Sequence, residues 1–381
     1  ARRASDGRAG GVAPGGSGEN LIGVAGVRRA CDSLAPMKPA PERVLGWSAA
    51  AGFAVWCALS VAVHARWTTL GLDWGVQLNI TGAFLLAPLV TTPLALLLSV
   101  PAGNRGSAAW KLAAWLQPAG AAAVLGSFFL APGPAAAALA LPWALMSVCA
   151  AATGLGRFLE HRFTLPEELA IDAGLAMLPV GAAWLLASRA GMEPMGFREP
   201  FVLLTAVHFH FAGLAATVIV GLTGRRLREW KSKSFPLYLA LAAGVVLGVP
   251  LLAAGIASRT KFEAVAALIL AFSLGGFCIF ALFAIVPRLR GWPARVLLGL
   301  ALLSGIWSMH YAGHYAAGIA RGIVPPKYSI PKMASIHGLL NALGFSLCGL
   351  LAWVAAGPAG LSLTDKEKVI RATAEWPDAS R

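Results

Sequence analysis

Charge is what this sequence has least of. Asp, Glu, Lys and Arg make up 13% of the 381 residues, where an ordinary soluble domain carries about 25%. With 57% hydrophobic residues and a mean hydropathy of +0.70, the chain cannot cover itself with a water-facing surface. Part of its solvent must be lipid. Carboxylates are the scarcer sign: 17 acidic residues stand against 31 basic ones, for a net charge of +14. In a soluble protein that excess would point to nucleic acid. Here the basic residues fall in short clusters between apolar runs, as loops beside anionic lipid do, so the expected partner is the bilayer and not nucleic acid.

Other absences narrow the chemistry. The five cysteines, Cys31, Cys57, Cys149, Cys278 and Cys348, form no CxxC pair, so neither a disulfide framework, a zinc ribbon nor a haem-attachment CxxCH is supported. There is no phosphate-binding glycine loop, no serine–histidine–acid set and no pair of membrane carboxylates, and nothing argues for ATP hydrolysis.

What is abundant is apolar sequence in lengths of about 20 residues, enough to cross the hydrocarbon as a helix. Ten stretches qualify: Val44–His64, Gln77–Val100, Leu112–Leu130, Ala135–Leu155, Leu169–Ser188, Phe201–Leu222, Phe235–Ile256, Phe262–Val286, Ala294–Ala317 and Ala334–Ala356. The expectation is an all-α, polytopic membrane bundle. If spans alternate, the side holding both termini carries 23 Lys and Arg and the other side 8. The positive-inside rule then puts both termini in the cytoplasm. The densest basic cluster, "GRRLREWKSK" at Gly224–Lys233, follows the sixth span. Residues 1–36 read as a disordered or mis-annotated extension before Met37, residues 37–360 as one membrane domain, and 361–381 as a short cytoplasmic tail. The 13 tryptophans suit an aromatic belt. Glu160, His161, Glu167 and Glu168 read as a solvated inner loop, and Asp172 as a helix-end residue.

Five histidines interrupt the apolar runs. Counting along alternating spans puts His208 and His210 roughly 10–14 Å below the outer end of the sixth span at 1.5 Å per residue. The same count puts His310 and His314 in the last two turns of the ninth and His337 in the first turn of the tenth. All five share the outer half of the membrane. Ionisable groups at such depth are costly and usually functional. His310 and His314 stack on one helix face at i and i+4. His208 and His210, at i and i+2, diverge by about 200° on a regular helix. Thr205, Ser308, Tyr311 and Asn341 are candidates for hydrogen bonding around the imidazoles.

The stretches "LLAPLVTTPLALLL" (Leu85–Leu98), "LQPAGAAAVLGSFFLAPG" (Leu116–Gly133), "LTAVHFHFAG" (Leu204–Gly213) and "IHGLLNALGF" (Ile336–Phe345) resemble the YndJ-like family of bacterial membrane proteins. The resemblance implies a ten-helix bundle and gives weight to His208, His210 and His337. It implies no reaction, although "transporter" is sometimes attached to the family. Three readings stand open. In the first, the cluster binds a haem, through His208, His210 and His337, or a copper, iron or zinc ion, through His310, His314, His337 and His208. It would then do redox chemistry on a small lipophilic or gaseous substrate. In the second, the histidines are proton- or substrate-binding groups of a transporter. In the third, the protein is a structural or assembly partner.

Overall fold

Each apolar run folds as a helix because a backbone in lipid must satisfy its own hydrogen bonds. The computed structural model describes residues 40–70, 75–100, 106–323 and 329–357, except the side chains at 66–70 and 75–78. The expected domain boundaries at 36 and 360 lie outside these residues. Ten helical segments follow: α1 (Pro41–Leu70), α2 (Gly75–Leu86, Ala87–Thr91 and Thr92–Ser99), α3 (Ala108–Ser127), α4 (Pro134–His161), α5 (Pro166–Ala190), α6 (Phe201–Glu229), α7 (Phe235–Ser258), α8 (Phe262–Ala284), α9 (Trp292–Ala320) and α10 (Ile330–Ala356). Among the described residues there is no strand.

Nine of these helices are long and apolar enough to cross a membrane. The exception is α3, whose 20 residues include Lys111, Gln117, Pro118 and runs of small Ala and Gly. Its length still reaches about 30 Å. Local signals set the ends. Ser107 caps α3 by accepting the Trp110 N–H at 3.1 Å, and proline opens α4, α5 and α9 where its missing N–H is harmless. Gly191 closes α5 at φ 71°, a left-handed turn that disfavours a side chain.

Successive helices pack as antiparallel neighbours, and α2, α6 and α10 meet one another in the middle of the bundle. Over their most apolar windows α2 is 83% and α6 72% buried, against 17% for α1. These three central helices share one distortion: each contains π-helical turns, at Ala87–Thr91, Phe209–Ala216, and Ala334–Gly338 with Leu340–Leu347. Such turns leave backbone carbonyls short of their usual partners and recur at functional sites. Gln117 answers one of them, donating to Pro88 O at 2.8 Å while accepting from Ser48 at 2.6 Å. Not all tryptophans form a belt. Trp110 and Trp143 are wholly buried and donate inward, to Leu96 O at 2.9 Å and to His210 Nε2 at 3.0 Å. Trp47 and Trp292 stay exposed near helix starts.

The end of the bundle holding the α4–α5 and α6–α7 connections overturns the expectation of a solvated loop. Glu167, Glu168, Asp172 and His161 are buried there, and only Glu160 is exposed. The reason is that α4 and α6 continue past their apolar runs, to His161 and Glu229, and carry their basic residues inward. Arg225 grips Glu168 with both arms of its guanidinium, at 2.6 and 2.7 Å, and donates to Leu98 O and Ser99 O at 2.9 and 2.7 Å. Arg157 reaches Glu168, Asp172 at 2.5 Å and Ser99 O at 2.9 Å. Arg228 pairs with Glu167. Asp172 is therefore no helix-end residue: its second oxygen lies 2.5 Å from His161 Nε2. The guanidinium groups satisfy the last carbonyls of α2, which a helix leaves without partners.

Candidate functional site

At the opposite end, where the α5–α6 and α7–α8 connections lie, the helices enclose a cavity of about 850 Å³. Its wall is mostly apolar, from Ile80, Val180, Trp184, Phe209, Leu270 and Met309 among others. The polar groups on it are few: Thr205, His208, His337, Asn341 and Ser346 from the central helices, with Tyr315, Arg259, Thr260, Lys261 and Glu263 from α7–α9. A concave apolar site with a small polar set is the usual form of a small-molecule pocket, and the volume falls within the usual range of roughly 300–1,000 Å³.

The five histidines occupy three settings. His208 and His337 both line the cavity, with ring centroids 6.4 Å apart and planes inclined by 27°. His210, although two residues from His208, turns away into the core, because neither an α nor a π turn brings positions i and i+2 together. There it donates from Nδ1 to Ala206 O at 2.7 Å and accepts the Trp143 indole N–H at 3.0 Å, so both nitrogens are used. Gly181 of α5 makes room for it: a Cβ there would stand 2.8 Å from His210 Nδ1. His310 and His314 form a T-shaped pair with centroids 4.4 Å apart on an exposed face of α9, beside Trp307, and do not line the cavity. Among the described residues no three His, Cys, Asp or Glu side chains are grouped so as to hold a metal ion.

Hydrogen bonds fix the tautomers of the cavity pair. A backbone carbonyl only accepts, so the ring nitrogen facing it carries the proton. His208 Nδ1 donates to Leu204 O at 2.8 Å, and His337 Nδ1 to Ser308 O at 3.0 Å. In both rings Nε2 is left as the acceptor. Ser308 and Asn341 brace His337. The Asn341 amide donates to Ser308 Oγ at 2.5 Å, and Ser308 Oγ lies 2.9 Å from His337 Nδ1. The amide nitrogen stands 3.4 and 3.2 Å from the two ring nitrogens, a position over the ring and not along either lone pair. Of the other candidates, Thr205 lines the cavity and donates to Phe201 O at 2.8 Å. Tyr311 sits by His310, with ring centroids 6.2 Å apart.

The sequence profile described as YndJ-like protein matches residues 82–345, more than half of the chain. The chain belongs to the YndJ-like family. The match takes in the five histidines, the buried carboxylate–arginine network and most of the cavity wall. A relative, the uncharacterized membrane protein YndJ of Bacillus subtilis (strain 168), is 28% identical over 214 residues, which are 56% of this chain and 38% of that protein. The chain thus aligns with well under two thirds of that relative's length. No solved structure matches the chain. Together with its apolar helices, membership makes this YndJ-like chain a multi-pass protein of the bacterial cell membrane.

Proposed function

We propose that this protein binds a small lipophilic molecule in the cavity between its central helices and α7–α9, with His208 and His337 as its polar contacts, and that the site serves transfer of that molecule within or across the membrane. One observation carries the reading: two imidazoles, each anchored by an Nδ1 hydrogen bond to a backbone carbonyl, stand on the wall of a mostly apolar space of about 850 Å³. The redox reading drew on imidazoles gathered at one centre. The pairwise arrangement supports a substrate cavity better, because His210 is consumed by Trp143 and the α9 pair stands off the wall.

The test is to fill the space. Ala253, on α7, lines the cavity. Wild-type protein and an Ala253→Trp variant, purified from the same cells, are extracted with organic solvent and compared by mass spectrometry. A lipophile near one per protein in the wild type, lost from an equally stable variant, is the expected result. Identical extracts would overturn the reading.

A further inference from the structure

The cavity's polar groups are matched unevenly, and the mismatch describes its ligand. His208 and His337 each donate inward, to Leu204 O and Ser308 O, and each keeps an Nε2 lone pair. No protein donor aligned with either lone pair stands among the described residues. His208 is exposed to the cavity and His337 half-buried, and an acceptor on a mostly apolar wall is where a ligand's donor finds its partner. The distortion of α6 begins at Phe209, directly after His208, and His337 lies inside a distorted segment of α10. Both imidazoles therefore sit where two helices have departed from regular geometry at the same cavity.

Resting on the lipophile-binding reading above, we infer that the ligand is a neutral lipophile bearing a hydroxyl group, phenolic or alcoholic, which donates its one hydrogen to Nε2 of His208 or of His337, the two imidazoles standing as alternative acceptors. The ring centroids stand 6.4 Å apart, so a hydroxyl held at about 2.8 Å from one ring nitrogen has the other imidazole as its neighbour. The charge distribution selects against the other head groups. A carboxylate or phosphate would bring only acceptors to face two acceptors. An ammonium would bring donors, but among the described residues the one carboxylate on the wall is Glu263, in the first turn of α8 and not on either helix that carries an imidazole. The two cations on the wall, Arg259 and Lys261, both lie in the α7–α8 connection and not on the helices that carry the imidazoles, and Arg259 donates to Met195 O at 2.8 Å and stacks over Phe197 at 5.0 Å. The remaining wall, from Leu270 to Phe345, suits a hydrocarbon tail.

The experiment compares three probes of one chain length, 4-dodecylphenol, 4-dodecylanisole and dodecylamine. Each is titrated calorimetrically into the full chain in nanodiscs, with empty nanodiscs as the blank. Phenol and anisole differ by replacing the donor hydrogen with a methyl group. The phenol should bind up to about tenfold more tightly than the anisole, the net worth of one hydrogen bond to a cavity-facing side chain. His208→Phe keeps an aromatic ring and removes the acceptor. It should cut that preference to a few-fold, with His337→Phe acting alike. Equal affinity for phenol and anisole would overturn the hydroxyl assignment while leaving a lipophile cavity in place. So would tighter binding of the amine, or a preference that survives in both variants. No binding of any probe would overturn the cavity reading along with it. The wild-type comparison stands even where a variant fails to fold.

Discussion

The carboxylate–arginine end of this bundle and its cavity end both place histidine between packed helices, and they use it in opposite ways. At the first, both nitrogens of His161 are matched by protein atoms, Arg162 O at 2.9 Å and Asp172 at 2.5 Å, and the ring is enclosed by its partners. At the second, His208 and His337 donate once and hold a lone pair toward open space. His210 is the intermediate case, donating to a carbonyl and accepting from an indole. A histidine in an apolar run is thus uninformative until both nitrogens are accounted for. Where both are matched by protein, the residue holds helices together. Where one is left over beside a cavity, it points to a ligand.

The largest effect separating the two ends belongs to Glu168. It accepts from Arg157 and from both arms of Arg225, and its side chain is 2% exposed. Glu168→Ala would strand two guanidinium groups in a buried setting, and breaking such a pair is typically destabilising by about 3–5 kcal/mol. Melting of the purified variant in detergent should fall steeply, or no stable protein should accumulate. A variant as stable as wild type would mean that water reaches this end and that the contrast drawn here is false. A smaller loss is expected for His161→Ala, which leaves Asp172 with Arg157 alone. The absence of one buried charged hydrogen bond should lower stability by about 1.5–3 kcal/mol while leaving probe binding at the cavity unchanged. His208→Phe should show the converse, weaker binding with little change in melting.

How far these ends could be read from sequence follows from how their partners are spaced. The ten apolar runs are visible because length and hydropathy are local properties. The ends of α4 and α6 were hidden because the apolar run stops at Leu155 or Leu222 while the helix goes on to His161 or Glu229. Residues counted as loop charges therefore sit on packed helix faces. Their pairing is not local either: Arg225 meets Glu168 from α5 and carbonyls from α2. The depth of the histidines was open to counting along alternating spans, and that count puts His208 and His337 at one level. The face each presents was not. Rotation of α9 about its axis is set by packing against α8 and α10, and a helix apolar all round carries little record of it. The braces on His337 illustrate both limits. Ser308 and Asn341 stand out as polar residues in apolar runs, but only the packed structure turns them toward the same ring.

The smallest effects are expected at His310 and His314, and they test the contrast from its other side. These two are exposed on α9 and absent from the cavity wall, so the cavity ligand should not register them. His310→Ala and His314→Ala replace an exposed residue with the best helix former. Each should change stability by no more than about 0.5 kcal/mol and leave the phenol-over-anisole preference intact. The measurement is the same calorimetric comparison, run beside His208→Phe. Loss of that preference in either α9 variant would show that the pair communicates with the cavity, and the division of the histidines into separate settings would fail. A gain in thermal stability on adding copper or zinc to wild-type protein, abolished in both α9 variants alone, would give the pair a use of its own. Two imidazoles at i and i+4 can share one ion, and such a site would be distinct from the cavity rather than part of it.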